Sequence, residues 1–232
     1  MLLVALRYWL PSLMTLFVAP AVRADEAYYL LIFGSQRTPP RARHSHTFGT
    51  FVKTSGQLGS PDFTFESHTI SWLPQALQIR MFALLPECGE NFDLHATVRY
   101  ALSDEQRISL WGPYQVTPDL YERALKQVVV LESGDVRYKA LDTGRRSDRV
   151  SNCIHAVSTV EGGYRLRVIS PSWGETASYY IARRFKPWII GCSAKHDWVA
   201  TALGLDAYPI IHREFENPLS GAILSALRLG RE

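Results

Sequence analysis

The sequence predicts an α+β fold in which an antiparallel β-sheet packs against helices. Strand patterns dominate the first third of the chain, and helical patterns with capping signals dominate after it. The chain has 232 residues, of which 47% are hydrophobic, so one domain of this length buries a sizeable core. The same composition excludes a disordered or collagen-like protein. We therefore expect a single domain over residues 25–232.

The strands are predicted from apolar runs and alternation. Residues 27–33 form an apolar run, and residues 46–53 and 63–72 are rich in β-branched and aromatic side chains. The glycine- and serine-containing stretch 54–61 lies between the last two and indicates a hairpin loop. Residues 78–84 are a further candidate strand.

The helices are predicted from capping signals. Residues 94–102 follow a cap at Asp93 or Asn91. A stronger helix opens with Thr117 as cap and proline at its first position, and extends to about residue 132. The remaining elements are predicted more weakly. They are strands at 136–140 and 164–169, a helix containing Cys153, and helices at 175–185, 197–203 and 219–229.

Residues 1–24 have the order of a secretory signal peptide. Arg7 precedes an apolar run over 8–18, and small residues end at Ala24, the expected cleavage site. We expect an exported protein, periplasmic or extracellular, with no membrane span after cleavage. Cleavage removes two of the 25 basic residues and none of the 22 acidic ones, which leaves a net charge of +1. No basic stripe stands out, so nucleic-acid binding is not expected.

Export bears on the three cysteines, because disulfides form in oxidising compartments. Cys88 and Cys192 both lie beside glycine in loop-like segments, whereas Cys153 lies in a helical pattern. The sequence leaves all three pairings open. The favoured one joins Cys88 to Cys192 and leaves Cys153 as a free thiol.

Cys153 is the strongest candidate for chemistry. The predicted caps of its helix are Ser147, Asp148 and Ser151, and a cap at 151 places the thiol in the first turn. There the free N–H groups and the helix dipole favour a thiolate, which is the nucleophilic form. The alternative is a small buried apolar side chain. His155 is a poor base for this thiol, because residues two apart on a helix point in different directions.

The predicted hairpin supplies candidate bases. A turn centred near residue 57 places His46 opposite His68, within reach across the two strands. A slip of one residue would place the two rings on opposite faces of the sheet. His44 shares a face with His46 and competes with it as the base. Glu66 shares a face with His68.

The segment Asn-Cys-Ile-His at 152–155 resembles the Asn-Cys-Glu-His segment of the lecithin:retinol acyltransferase family. That family belongs to the circularly permuted, NlpC-like branch of papain-like enzymes, in which a strand histidine precedes the cysteine. The resemblance implies a permuted papain-like core over about 28–160, with Cys153 as nucleophile and His46 as general base and then acid. It also implies that His68 orients the imidazole, with Glu66 as its substitute.

The resemblance implies an exported cysteine hydrolase or acyltransferase that needs no cofactor and acts on an amide or ester. Peptidoglycan peptides, secreted proteins and lipids are the candidate substrates. Two alternatives remain open. In the first, His44, His46, His68 and Cys153 hold a transition metal, which requires all ligands to converge on one point. In the second, the protein is a non-catalytic exported binding domain.

Overall fold

A computed structural model describes residues 26–142, 147–163, 166–191 and 196–215. The predicted signal peptide at 1–24, the predicted helix at 219–229 and Cys192 lie outside these ranges. So do the first two residues of the predicted strand at 164–169. Within the described ranges, no helix is both long and apolar enough to cross a membrane.

The α+β class is confirmed, since helices and largely antiparallel strands form the described structure. The strands are β1 (Glu26–Gln36), β2 (Ser45–Ser55), β3 (Thr64–Ile70), β4 (Trp72–Pro74), β5 (Glu87–Asn91), β6 (Arg107–Val116), β7 (Arg137–Tyr138), β8 (Val150–Ser151) and β9 (Ile210–Arg213). The helices are α1 (Leu94–Ser103), α2 (Pro118–Glu132), α3 (Cys153–Ser158), α4 (Gly174–Arg184) and α5 (Asp197–Ala202).

The main sheet has the strand order β3-β2-β1-β6-β9. Its strands pair antiparallel except β9, which runs parallel to β6. A second, smaller sheet has the order β4-β5-β7-β8. The two sheets are joined where the chain passes from β3 to β4 through a single residue, Ser71.

Helices cover both faces of the main sheet, because strands β1 and β2 are apolar on both sides. Leu31, Phe33 and Phe48 face one side, in a cluster with residues of α1 and α5. Leu30 and Phe51 face the other side, in a cluster with residues of α2, α3 and α4. The candidate residues are thus divided between two separate cores.

Several sequence predictions are wrong in detail. Residues 78–84 form a loop and not a strand, and residues 166–169 are not in a strand. The central strand β6 was not predicted, because Gly112 and Pro113 inside it are typical of a turn. They lie instead where the pairing between β1 and β6 shifts its register, between Leu30 and Ile32.

Two glycines let α4 rest directly on the sheet. A Cβ at Gly174 would lie 2.1 Å from the carbonyl oxygen of Ser35 and 2.5 Å from that of His46. A Cβ at Gly34 would lie 2.6 Å from the carbonyl oxygen of Gly174. The first turn of α4 is therefore in backbone contact with β1 and β2 at the position of His46.

Candidate active site

The predicted pairing of the two hairpin histidines is wrong. In the β2–β3 ladder His68 lies opposite Phe51, and the last pair joins Gly49 to Ile70. Since opposed residues share a face and the face alternates along a strand, His46 and His68 lie on opposite faces of the sheet. The structure therefore does not bring His68 to the imidazole of His46.

The other predicted histidine partners also lie elsewhere. The His68 Nε2 lies 2.7 Å from Oε1 of Glu66, on the solvent-accessible side of β3. The His44 Nδ1 lies 2.7 Å from Oδ2 of Asp104. His44 therefore does not compete with His46 for a common position. The metal hypothesis fails with this separation, and among the described residues no group of three or more His, Cys, Asp or Glu side chains is arranged to hold a metal ion.

His46 is buried and bound to hydroxyl groups. Its ring stacks on Phe48, with 5.4 Å between the centroids, and its Nε2 lies 2.9 Å from Oγ of Ser71. The Ser71 Oγ lies 2.7 Å from Oγ1 of Thr97, which in turn lies 2.8 Å from the carbonyl oxygen of Asp93. Burial lowers the pKa of His46 to about 3, so the imidazole is neutral at physiological pH.

Counting protons in this chain indicates the tautomer of His46. Thr97 has one hydroxyl proton, and the carbonyl of Asp93 can only accept it. We assign the Thr97 proton to Asp93, and with that assignment Ser71 donates to Thr97 and accepts from an Nε2–H on His46. The Nδ1 of His46 is left as an unprotonated acceptor, and it is buried with no hydrogen-bond partner in the described part of the chain. With this tautomer, the Nε2–H of His46 and the hydroxyl protons of Ser71 and Thr97 all have acceptors.

Ser71 is the functional candidate that the sequence analysis missed. Its backbone N–H donates to Oδ1 of Asn91 at 2.8 Å, and its carbonyl accepts from the N–H of Phe92 at 3.0 Å. These bonds fix the residue between the two sheets with its hydroxyl directed at His46. The predicted strand at 63–72 ran straight through this position. Its break at Ser71 comes from pairing with β5, which is distant in sequence and leaves no local signal.

Cys153 is the first residue of α3. The cap is Asn152, whose Oδ1 accepts from the N–H of His155 at 3.0 Å and whose Nδ2 donates to the carbonyl of Ala140 at 3.1 Å. The predicted caps Ser147, Asp148 and Ser151 are therefore wrong, although the predicted first-turn position of the thiol is correct. At this position the backbone N–H groups have no partner inside the helix.

The sulfur of Cys153 is surrounded by donors but enclosed. Burial raises the pKa of the Cys153 thiol to about 11, against the opposing effect of backbone hydrogen bonds from Thr47, Ile154 and Cys153 itself. Thr47 directly follows His46, beyond the end of the β2–β3 ladder. The His46 ring faces the Phe48 side of β2, whereas α3 packs on the Phe51 side. Thr47, whose backbone contacts the sulfur, is the residue after His46, and among the described contacts no hydrogen bond joins the sulfur to the imidazole.

Tyr138 lies near enough to the thiol to interact with it electrostatically. It is 2% exposed, and its pKa is raised well above the ordinary value, first by burial and then by the negative charge of an ionised Cys153 nearby. At neutral pH its hydroxyl is therefore a proton donor beside a protonated thiol.

His155 points away from the thiol, as the sequence analysis predicted. Its Nε2 lies 3.1 Å from Oδ2 of Asp142 and 2.9 Å from the carbonyl oxygen of Leu166. The same carboxylate accepts from the N–H of Val168 at 2.7 Å. His155 therefore ties α3 to the segments on either side of it and is not a base for Cys153.

The described cysteines form no bridge. Cys88 is exposed, Cys153 is partly exposed as a residue although its thiol group is buried, and both carry free thiols. The expectation of a free thiol at Cys153 is met, whereas the favoured pairing of Cys88 with Cys192 involves a residue outside the described ranges and stays a prediction.

Comparison with known proteins yields no match to a family model, to a curated protein or to a solved structure.

The neutral state of His46 predicts a pH-dependent stability. Its pKa is lowered on folding from the ordinary value near 6.5 to about 3, so the unfolded chain binds the proton first as the pH falls. Stability contributed by this residue is complete above pH 6.5 and is lost as the pH falls from there towards 3. Between pH 6 and pH 4 the loss is about 2.5 kcal/mol.

Urea unfolding at pH 6 and pH 4 measures this loss for the wild type and for His46→Gln. Glutamine retains an amide donor for Ser71 but does not titrate. The variant should lose about 2.5 kcal/mol less than the wild type over the same interval. Equal losses in the two proteins would contradict a buried, neutral imidazole.

Proposed function

We propose that this protein is a thiol-dependent hydrolase or acyltransferase that acts on an amide or ester. Cys153 is the nucleophile, His46 the general base and Ser71 the group that orients the imidazole. The observation that carries the proposal is the buried Nδ1 of His46, for which the described residues offer no hydrogen-bond partner, one position before Thr47, whose backbone N–H donates to the Cys153 sulfur beyond the end of the β2–β3 ladder. Ser71 takes the role that the resemblance assigned to His68.

The protonation states disfavour a resting thiolate–imidazolium pair, so the proposed mechanism moves the proton only as the sulfur attacks. The thiol is protonated and the imidazole neutral at pH 7, because burial disfavours both charges. As the sulfur bonds to the substrate carbonyl carbon, its proton passes to Nδ1 of His46. The imidazolium then protonates the leaving amine or alcohol, and water or a second acceptor cleaves the acyl-enzyme.

The same donors that surround the sulfur can stabilise the oxyanion of the tetrahedral intermediate. The backbone N–H groups of Cys153 and Thr47 are directed at the reacting sulfur, and Tyr138 supplies a hydroxyl donor nearby. Donors fixed in a buried site stabilise developing charge without reorganising. Attack by the thiol is thus supported by both a base and an oxyanion site.

The substrate class follows from export, which residues 1–24 support by their signal-like order. An exported enzyme of this chemistry meets the peptide, protein or lipid components of the cell envelope. We propose that its substrate is one of these.

One observation favours a second candidate, a non-catalytic exported binding domain. A thiol with a pKa near 11 and no hydrogen bond to an imidazole has the properties of a buried structural cysteine. In that case Cys153 fills space at the end of α3, and the His46–Ser71–Thr97 chain serves only to satisfy buried polar groups.

Trapping of an acyl-enzyme distinguishes the two candidates. Cys88→Ser/Cys192→Ser, which retains Cys153 alone, is treated with p-nitrophenyl acetate at pH 7 and followed by intact mass and p-nitrophenolate release. We expect one acetyl group on Cys153 and a burst equal to the protein concentration. The control is the triple variant that adds Cys153→Ala. Absence of the adduct from the single-cysteine protein would favour the binding domain.

A further inference from the structure

The loop between β4 and β5 presents three apolar side chains to solvent. Phe82, Leu84 and Leu85 are 79%, 89% and 79% exposed. Isolated exposed leucines are ordinary on protein surfaces, but three large apolar side chains within four residues form a patch. We call residues 79–86 the apolar loop.

Core packing and hydrogen bonds hold the backbone of the apolar loop in place. Ile79 and Met81 alternate with the exposed residues and pack against the core cluster on the α2 face of the main sheet. The Nζ of Lys139 donates to the carbonyl of Leu84 at 3.1 Å, and the N–H of Ala83 donates to the carbonyl of Arg80 at 3.2 Å. The exposed side chains are therefore presented by a fixed backbone.

Cationic side chains lie beside the apolar loop. Arg80 belongs to the loop and forms an ion pair with Glu87. Lys139, the residue after β7, reaches the loop, and the exposed Arg137 lies two residues before it, opposite Cys88. The N–H of Lys139 donates to the carbonyl of Ser151 at 3.0 Å and extends the pairing with β8, so Arg137 and Lys139 project from the same side of the small sheet.

We infer that the apolar loop docks the protein on the surface of a lipid bilayer that contains anionic lipids. Phe82, Leu84 and Leu85 enter the boundary between headgroups and acyl chains, and the exposed Arg137 contacts the headgroup phosphates. Apolar side chains beside cations are the combination that interfacial membrane binding requires. This inference does not depend on the chemistry at Cys153.

The shape of the patch opposes a peptide ligand. Exposures near 80% show that the side chains protrude rather than line a groove, so the patch lacks the concave shape that peptide-binding grooves have. A bilayer requires neither a matching surface nor a groove.

Vesicle co-sedimentation tests the inference with the full chain. The vesicles are phosphatidylcholine alone, and phosphatidylcholine with one phosphatidylglycerol in four lipids. We expect the wild type to prefer the anionic vesicles, and Phe82→Ser/Leu84→Ser/Leu85→Ser to partition at least about tenfold more weakly. Arg137→Glu should weaken binding several-fold to the anionic vesicles only.

Val129→Ser/Val130→Ser is the matched control, since these residues of α2 are also exposed, at 69% and 49%. It should bind as the wild type does. Circular dichroism and urea unfolding check that every variant is folded. Equal partitioning of the wild type and the triple serine variant would overturn the inference, as would absence of wild-type binding to either vesicle. Concentration-dependent dimerisation that the triple variant loses would assign the patch to a second copy of the chain instead.

Discussion

Glu175→Ala should destabilise the protein by about 3 kcal/mol, because it leaves two arginines without their shared carboxylate. Glu175 is 1% exposed and forms ion pairs with Arg107 and Arg213. Its Oε1 also accepts from Oγ of Ser109 at 3.1 Å, and its Oε2 accepts from Nε2 of Gln36 at 3.3 Å. The buried carboxylate thus joins α4 to strands β1, β6 and β9.

The estimate lies at the low end for a broken buried ion pair, because both guanidinium groups remain partly solvated. Equilibrium urea unfolding measures the loss. Amide hydrogen exchange should also show weaker protection in β9, which Arg213 ties to α4. The control is Glu66→Ala, which breaks an exposed pair with His68 and should cost less than about 1 kcal/mol. A loss of stability below 1 kcal/mol for Glu175→Ala would show that solvent can replace the Glu175 carboxylate as the partner of Arg107 and Arg213.

The sequence predicted the elements whose signals are local. Alternation and apolar runs located β1 and β2, and capping residues located α1 and α2. Asp93 accepts from the N–H of Ala96 at 2.7 Å, as the predicted cap of α1 should. The position of Cys153 in a first helical turn was also predicted correctly, although the capping residue is Asn152.

The register of the hairpin depended on where its turn lies, and loop composition did not locate it closely enough. The connection between β2 and β3 occupies residues 56–63, whereas residues 54–61 were predicted. The observed pair of His68 with Phe51 has its centre at residue 59.5 instead of the predicted 57, so the partner of His68 moves by five residues from His46, and this odd shift reverses the face. The role of Ser71 could not be predicted, since it depends on contacts with Asn91 and Thr97 from other parts of the chain.

His46→Gln should lower the rate of Cys153 acetylation by p-nitrophenyl acetate about 10²- to 10⁴-fold at pH 7, the range of general-base catalysis. With a thiol pKa near 11, only about one thiol in 10⁴ is ionised at pH 7 without help. Without the imidazole as base, the variant reacts only through this ionised fraction of Cys153. Its rate should therefore rise about tenfold per pH unit towards pH 11.

The wild-type rate should stay nearly constant between pH 5 and pH 9, because over that range His46 is unprotonated and the thiol protonated. The ratio of the wild-type rate to the His46→Gln rate should consequently fall as the pH rises. Ser71→Ala should lose about tenfold while keeping the flat profile, since it removes only the partner that orients Nε2.

The matched control is His68→Gln, the same substitution on the opposite face of the sheet, where the ring contacts Glu66. It should leave both the rate and the pH profile unchanged. Rates are measured in the single-cysteine background, with the Cys153→Ala protein as the blank for alkaline hydrolysis of the ester. A wild-type rate that itself rises tenfold per pH unit would show that His46 takes no proton from the thiol. The site would then be structural, because neutral thiols are poor nucleophiles without a base.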